Sequence, residues 1–163
     1  MATQWIRPRE VIQDAESGGE SVHKPWDFNS IPTNGILPIK LDGTLLHISR
    51  SPKPDKVEKT YYIKFSDFPF SNIPTVIQGV NLKLNASRNG RITDDTVQLL
   101  SNQAIISDNA ANLTVENNKL YNFPFTNALV FDSNFGIELR FRSHPSWPHN
   151  ETIIINSVEI QLY

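Results

Sequence analysis

The chain has no cysteine, no apolar run long enough to cross a bilayer, no sustained helical stripe and no marked excess of either charge. The missing cysteines exclude disulfides, thiolate metal sites and thiol nucleophiles, and leave the redox compartment open. The opening residues, MATQWIRPREVIQDAESGGE, hold no apolar stretch, so neither a signal peptide nor a membrane helix is expected. A soluble protein made in a cytoplasm is the reading that follows, with no membrane partner. Lys and Arg total 15 against 17 Asp and Glu, a formal net charge of −2. A protein that lives on phosphate contacts carries a basic excess, so nucleic acid is not expected as the main partner. Signatures of catalysis are missing too: no G-x-S-x-G, H-E-x-x-H, P-loop or G-x-G-x-x-G occurs. No enzyme, cofactor or resident metal is therefore expected.

What is present is turn chemistry and alternation. Asn is frequent and 11 prolines are scattered along 163 residues, a balance that opposes helix interiors. The length suits one domain with a full core. In FGIELRFR (135–142), Phe135, Ile137, Leu139 and Phe141 share one face, with Glu138, Arg140 and Arg142 on the other. At the C-terminus, Val158, Ile160 and Leu162 alternate with Glu159, Gln161 and Tyr163. Shorter strands are expected at 44–49, 61–65 and 104–107. Short strands with frequent turns and no helices predict an all-β, antiparallel β-sandwich.

The stretch LKLNASRNGRITDDTVQLL (82–100) carries Asn89-Gly90 between two alternating segments. A two-residue turn there places Leu82 opposite Val97 and Val80 opposite Leu99, with Asn81 facing Gln98 on the polar side. A hairpin in that register is expected. Its tip gathers Arg88, Arg91, Asp94 and Asp95, and Asp94, Asp95, Asn85 and Asn89 have the oxygen chemistry of a hard-cation site. The register turns the two aspartates to opposite faces, however, with Asp95 on the apolar one. Structural polar residues are the expected role.

The first 40 residues form an N-terminal arm and edge segment in this reading, and 41–163 the sandwich domain. The arm shows little alternation but carries Trp5, Ile6, Arg7, Arg9 and Trp26. Two roles stay open: an edge segment that wraps the sandwich, or an assembly arm, since buried Trp and Arg are typical interface anchors. On the second, loss of residues 1–20 leaves the sandwich folded and weakens assembly. The loop SHPSWPHN (143–150) holds His144, Trp147 and His149 between prolines and is a candidate ligand or contact loop, its indole plane suited to a sugar.

The order of segments resembles a β-sandwich domain of tailed-bacteriophage virion proteins. In TYYIKFSDFPFSNIPTVIQGVNLKL the resemblance is carried by Phe68, Phe70, Ile73, Pro74, Ile77, Gly79 and Val80. Asp95, Val97 and Leu99 match a following D-x-T/S-V-x-L strand, and Asn109-Ala110 or Asn112 an Asn-Ala pair. Ser133, Asn134, Phe135, Gly136 and Ile137 match a later strand, and Val158, Ile160, Leu162 and Tyr163 the closing one. The likeness spans about residues 60–163 and departs from the usual pattern at FPFTNALVFD, before Asn134. It implies a jelly-roll-like sandwich in a phage particle, as a decoration, fibre, baseplate or tail-tip component. Its partners would be other virion proteins and copies of itself, with a host glycan as the alternative ligand. No active site is implied.

Overall fold

The computed structural model describes residues 2–14, 22–24, 26–28, 41–42, 46–47, 58–89, 92–102, 104–113, 118–129, 135–142 and 150–163. These residues form thirteen strands and no helix: β1 (Glu10–Asp14), β2 (Val22–Lys24), β3 (Asp27–Phe28), β4 (Leu41–Asp42), β5 (Leu46–His47), β6 (Glu58–Thr60), β7 (Tyr62–Ser66), β8 (Ile77–Asn89), β9 (Thr93–Ser101), β10 (Ala104–Ile105), β11 (Asn118–Leu129), β12 (Phe135–Arg142) and β13 (Asn150–Leu162). One sheet runs β1–β7–β12–β9–β10, with β6 also on β12 and β2 beside β6. The other runs β11–β8–β13–β5, and β3 and β4 form a separate ribbon. All pairings are antiparallel except β2 with β6. The expected antiparallel β-sandwich is the fold observed.

Each sheet turns its apolar parity inward. Ile63, Phe65, Val97, Leu99, Phe135, Ile137, Leu139 and Phe141 come from the first sheet. Val80, Leu82, Leu84, Phe123, Ile153, Ile155, Val158, Ile160 and Leu162 come from the second, and all are buried in one cluster. The expected faces of 135–142 and of the C-terminal strand are therefore those observed.

The hairpin between β8 and β9 is not formed. β8 and β9 lie in different sheets: Leu82 pairs with Tyr121 and Ile160, whereas Val97 pairs with Leu139. The physical reason is edge occupancy. β8 is hydrogen-bonded on both sides, by β11 and β13, and has no edge left for β9. The alternation argument is blind to this, because two strands that face each other across a core bury the same residues as two strands of a hairpin. Gly90 and Arg91 lie outside the described residues. From β7 onward the long strands alternate between sheets: β7 in the first, β8 in the second, then β9, β11, β12 and β13 in turn.

The N-terminal segment is stitched into both sheets. Thr3 N donates to Leu162 O at 2.8 Å, and Ile6 and Ile160 exchange backbone hydrogen bonds of 2.8 and 2.9 Å. Further along, β1 pairs with β7 over Glu10–Asp14. Trp26, expected as an assembly contact, lies in the core at 3 % exposure. Its Nε1 donates to Tyr61 O at 2.9 Å, and its ring meets Phe141 edge-on at 6.0 Å. Gln13 brackets it, accepting from Trp26 N at 2.7 Å and donating to Trp26 O at 3.1 Å. Burial takes this indole off the surface on which a partner contact would form.

Candidate functional site: a buried carboxylate between the sheets

β9 and β12 change register between Arg140, which pairs with Thr96, and Phe141, which pairs with Asp94. Asp95 is the extra residue of a β-bulge. A bulge reverses the parity of everything beyond it. Asp94 therefore turns into the sandwich and Asp95 outward, the opposite of the faces expected from unbroken alternation.

Asp94 is fully buried, at 0 % exposure. Its Oδ2 accepts from Tyr121 Oη at 2.8 Å, Lys119 Nζ at 3.0 Å and the backbone amide of Asn112 at 3.3 Å. Burial is the largest influence on this carboxyl and raises its pKa. The hydrogen bonds from Lys119 and Tyr121, the Lys119 charge and the Asn112 amide outweigh it, so the net pKa falls below the ordinary carboxylate value. Lys119 is 7 % exposed, and its Nζ also donates to Asn112 Oδ1.

The chain delivers these groups by two routes. β11 runs along β8 with Lys119 paired to Leu84, Tyr121 to Leu82 and Phe123 to Val80, all core positions. Lys119 is thus directed inward while Leu120, its neighbour, stands 68 % exposed. This inversion of the normal pattern marks the site. Asn112 arrives along the open edge of β9. Ile106 N donates to Leu99 O and Ala110 N to Val97 O, while Ser107 Oγ and Asn109 Oδ1 accept from Leu99 N and Val97 N. The segment thereby satisfies the edge of β9. At its end Leu113 adopts φ 55°, a conformation a bulky residue rarely takes.

Outside the sheet, Asp95 Oδ2 accepts from Arg140 Nε at 2.7 Å, and Asp95 Oδ1 lies 3.4 Å from Lys59 Nζ. Arg140 stacks 4.2 Å from the Tyr62 ring centroid. Gln98 Nε2 donates to Glu138 Oε1 at 2.6 Å, and Lys64 reaches both Asp14 and Glu138. Burial lowers the Lys64 pKa, but the two carboxylates outweigh it and raise the net value.

Of the residues singled out in the sequence, Asp94 and Asn112 enter this centre. Asn85 faces outward and bonds Asn156, and Arg88 lies 5.7 Å from the Phe141 ring centroid. Asp94 turns inward, Asp95 outward on the first sheet and Asn85 outward on the second, so these three are not gathered round one cation; Asn89 is described only through its backbone pairing with Thr152. Among the described residues no group of three or more His, Asp or Glu is gathered for a metal. In the N-terminal segment, Trp5 covers Lys83 Nζ at 4.1 Å, Arg7 lies 3.7 Å from Glu159, and Arg9 N donates to Asp67 O. His144, Trp147 and His149 lie outside the described residues. Lys119 and Tyr121 escape the sequence reading, although the inverted parity of KLYNFPF was the available signal.

Fold and site together define an antiparallel β-sandwich with an ion pair buried between its sheets. No family model, curated protein or solved structure matches the chain.

Proposed function

We propose that this chain is a non-enzymatic structural subunit of a tailed-bacteriophage virion, a sandwich that joins or decorates capsid, tail, baseplate or fibre components. The observation that carries this reading is that most of the apolar residues behind the resemblance build the sandwich core. Phe68, Ile77, Val80, Val97, Leu99, Phe135, Ile137, Val158, Ile160 and Leu162 are buried. A side chain on Gly79 would fall 2.3 Å from Tyr163 Oη, and one on Gly136 would fall 2.9 Å from Phe65 O. These are packing requirements rather than chemistry, as a scaffold needs. Ile73 and Val76, 47 % and 55 % exposed, add apolar surface of the kind that subunit contacts cover. The chain would be made in the host cytoplasm and end in the particle.

The test is proteomic: peptides of this chain should appear at stoichiometric levels in gradient-purified particles from its source. Abundance in the lysate with absence from the particles would overturn the reading. A second reading, host-glycan binding, is favoured by one observation. Asn122, Asn81 and Gln161 form a carboxamide row across the outer face of the second sheet, where Asn122 Nδ2 bonds Asn81 Oδ1 at 2.8 Å and Asn81 Nδ2 bonds Gln161 Oε1 at 3.2 Å. A glycan-array signal abolished by Asn81→Leu would favour it.

A further inference from the structure

We infer that Lys119 and Asn112 become joined by an intramolecular isopeptide bond, with Asp94 as the catalytic carboxyl. Three groups that such a reaction needs meet here: an amine, a carboxamide in contact with it, and an acid–base group touching the amine. Lys119 Nζ donates both to Asn112 Oδ1 and to Asp94 Oδ2, the latter at 3.0 Å. Amine and carboxylate are shielded from water, at 7 % and 0 % exposure, and Tyr121 (5 %), which donates to the same carboxylate oxygen, is buried with them. Asn112 is exposed, which leaves the departing nitrogen a path to solvent.

A buried ion pair is a weak source of stability, because desolvation offsets its attraction. The reaction starts from the minor form of the pair, in which the ammonium proton has passed to the carboxylate and the amine is a nucleophile. The Lys119 Nζ lone pair then attacks Asn112 Cγ. Asp94 hands its proton to Asn112 Nδ2, the Cγ–Nδ2 bond breaks, and ammonia leaves. Asp94 takes up the surplus proton of the new Cγ–Nζ bond and ends as a neutral carboxylic acid. Ammonium, carboxylate and carboxamide thus become a secondary amide, a carboxylic acid and ammonia, with every proton placed and no co-reactant. Holding the groups together replaces a bimolecular encounter, an advantage that reaches about 10⁵–10⁸ M in effective concentration.

The bond ties the two sheets at a crossing point. Asn112 ends the segment hydrogen-bonded along β9 in the first sheet, and Lys119 begins the inward row of β11 in the second. The link is independent of where the protein acts.

Intact-mass measurement in denaturant tests it on the whole chain. The wild type should be lighter than its sequence by one ammonia, and trypsin should not cleave after Lys119. Asn112→Ala, which changes an exposed side chain, and Lys119→Arg, which keeps a cation beside Asp94, should both restore full mass. Asp94→Ala should do the same, and circular dichroism checks that each variant is folded. A wild type at full mass overturns the proposal. So does an ammonia loss that persists in Lys119→Arg, because that loss would come from succinimide at another asparagine, such as Asn89 before Gly90.

Discussion

At the residue scale, Asp94 is a fully buried carboxylate whose Oδ2 accepts three hydrogen bonds. In an Asn112→Ala chain, which keeps the ammonium and the carboxylate, replacing Asp94 by Ala leaves the Lys119 ammonium buried without its partner, and such half-removed pairs destabilise by about 3–5 kcal/mol. Denaturant unfolding should show that loss for Asp94→Ala in that chain. The double variant Asp94→Leu, Lys119→Met should recover most of it, because a well-packed apolar pair needs no compensation in a dry site. The sign of the pH dependence follows from the lowered pKa. In an Asn112→Ala chain, where Lys119 keeps its ammonium, the stabilising ionised form of Asp94 is fully present above the unfolded carboxylate value. It is lost as pH falls from about 4 through the lower folded value. Thermal melts from pH 7 to 2 should show this loss, and adding Asp94→Asn should flatten it.

At the element scale, β12 is the spine of the first sheet: it pairs with β7, with β6 and along its length with β9. Its inward residue Leu139 is fully buried, so Leu139→Ala should lower stability by about 2–5 kcal/mol. An unchanged melting temperature would mean that the site repacks without a cavity. The alternation of β12 was legible because its apolar core residues keep one parity. β13 keeps it only from Val158 onward, since an irregularity between Ile155 and Ser157 shifts the inward row from Ile153 and Ile155 to Val158, Ile160 and Leu162. β9 was legible only in its second half, since the bulge at Asp95 reverses faces between Val97 and Asp94. β11 has no counterpart among the strands expected from the sequence; it carries Pro124, which an edge strand tolerates.

At the scale of the whole molecule, the N-terminal segment spans both sheets. Thr3 and Ile6 bond the last strand, and β1 bonds β7 in the opposite sheet. Removing residues 2–9 should therefore lower the stability of the entire sandwich. Hydrogen exchange reads the cause directly: the amides of Ile160 and Leu162, which donate to Ile6 O and Thr3 Oγ1, should lose protection first. Unaltered exchange at these two amides would mean that the segment contributes nothing to the closed edge.

Periodicity sufficed for the all-β class, the sandwich and the inward faces of β8, β12 and the last residues of β13, because alternation is a local property of the chain that burial on one face enforces. Which strand pairs with which is not local. Leu82 and Val97 are apolar and inward in a hairpin and across a sandwich alike, and only the filling of both β8 edges by β11 and β13 decided between them. The same holds for the carboxylate centre: Asp94, Asn112, Lys119 and Tyr121 are scattered along the chain and meet through one bulge, one edge-hugging segment and one inverted strand. The bulge is a one-residue shift of register, which leaves composition untouched and changes which side chains face each other.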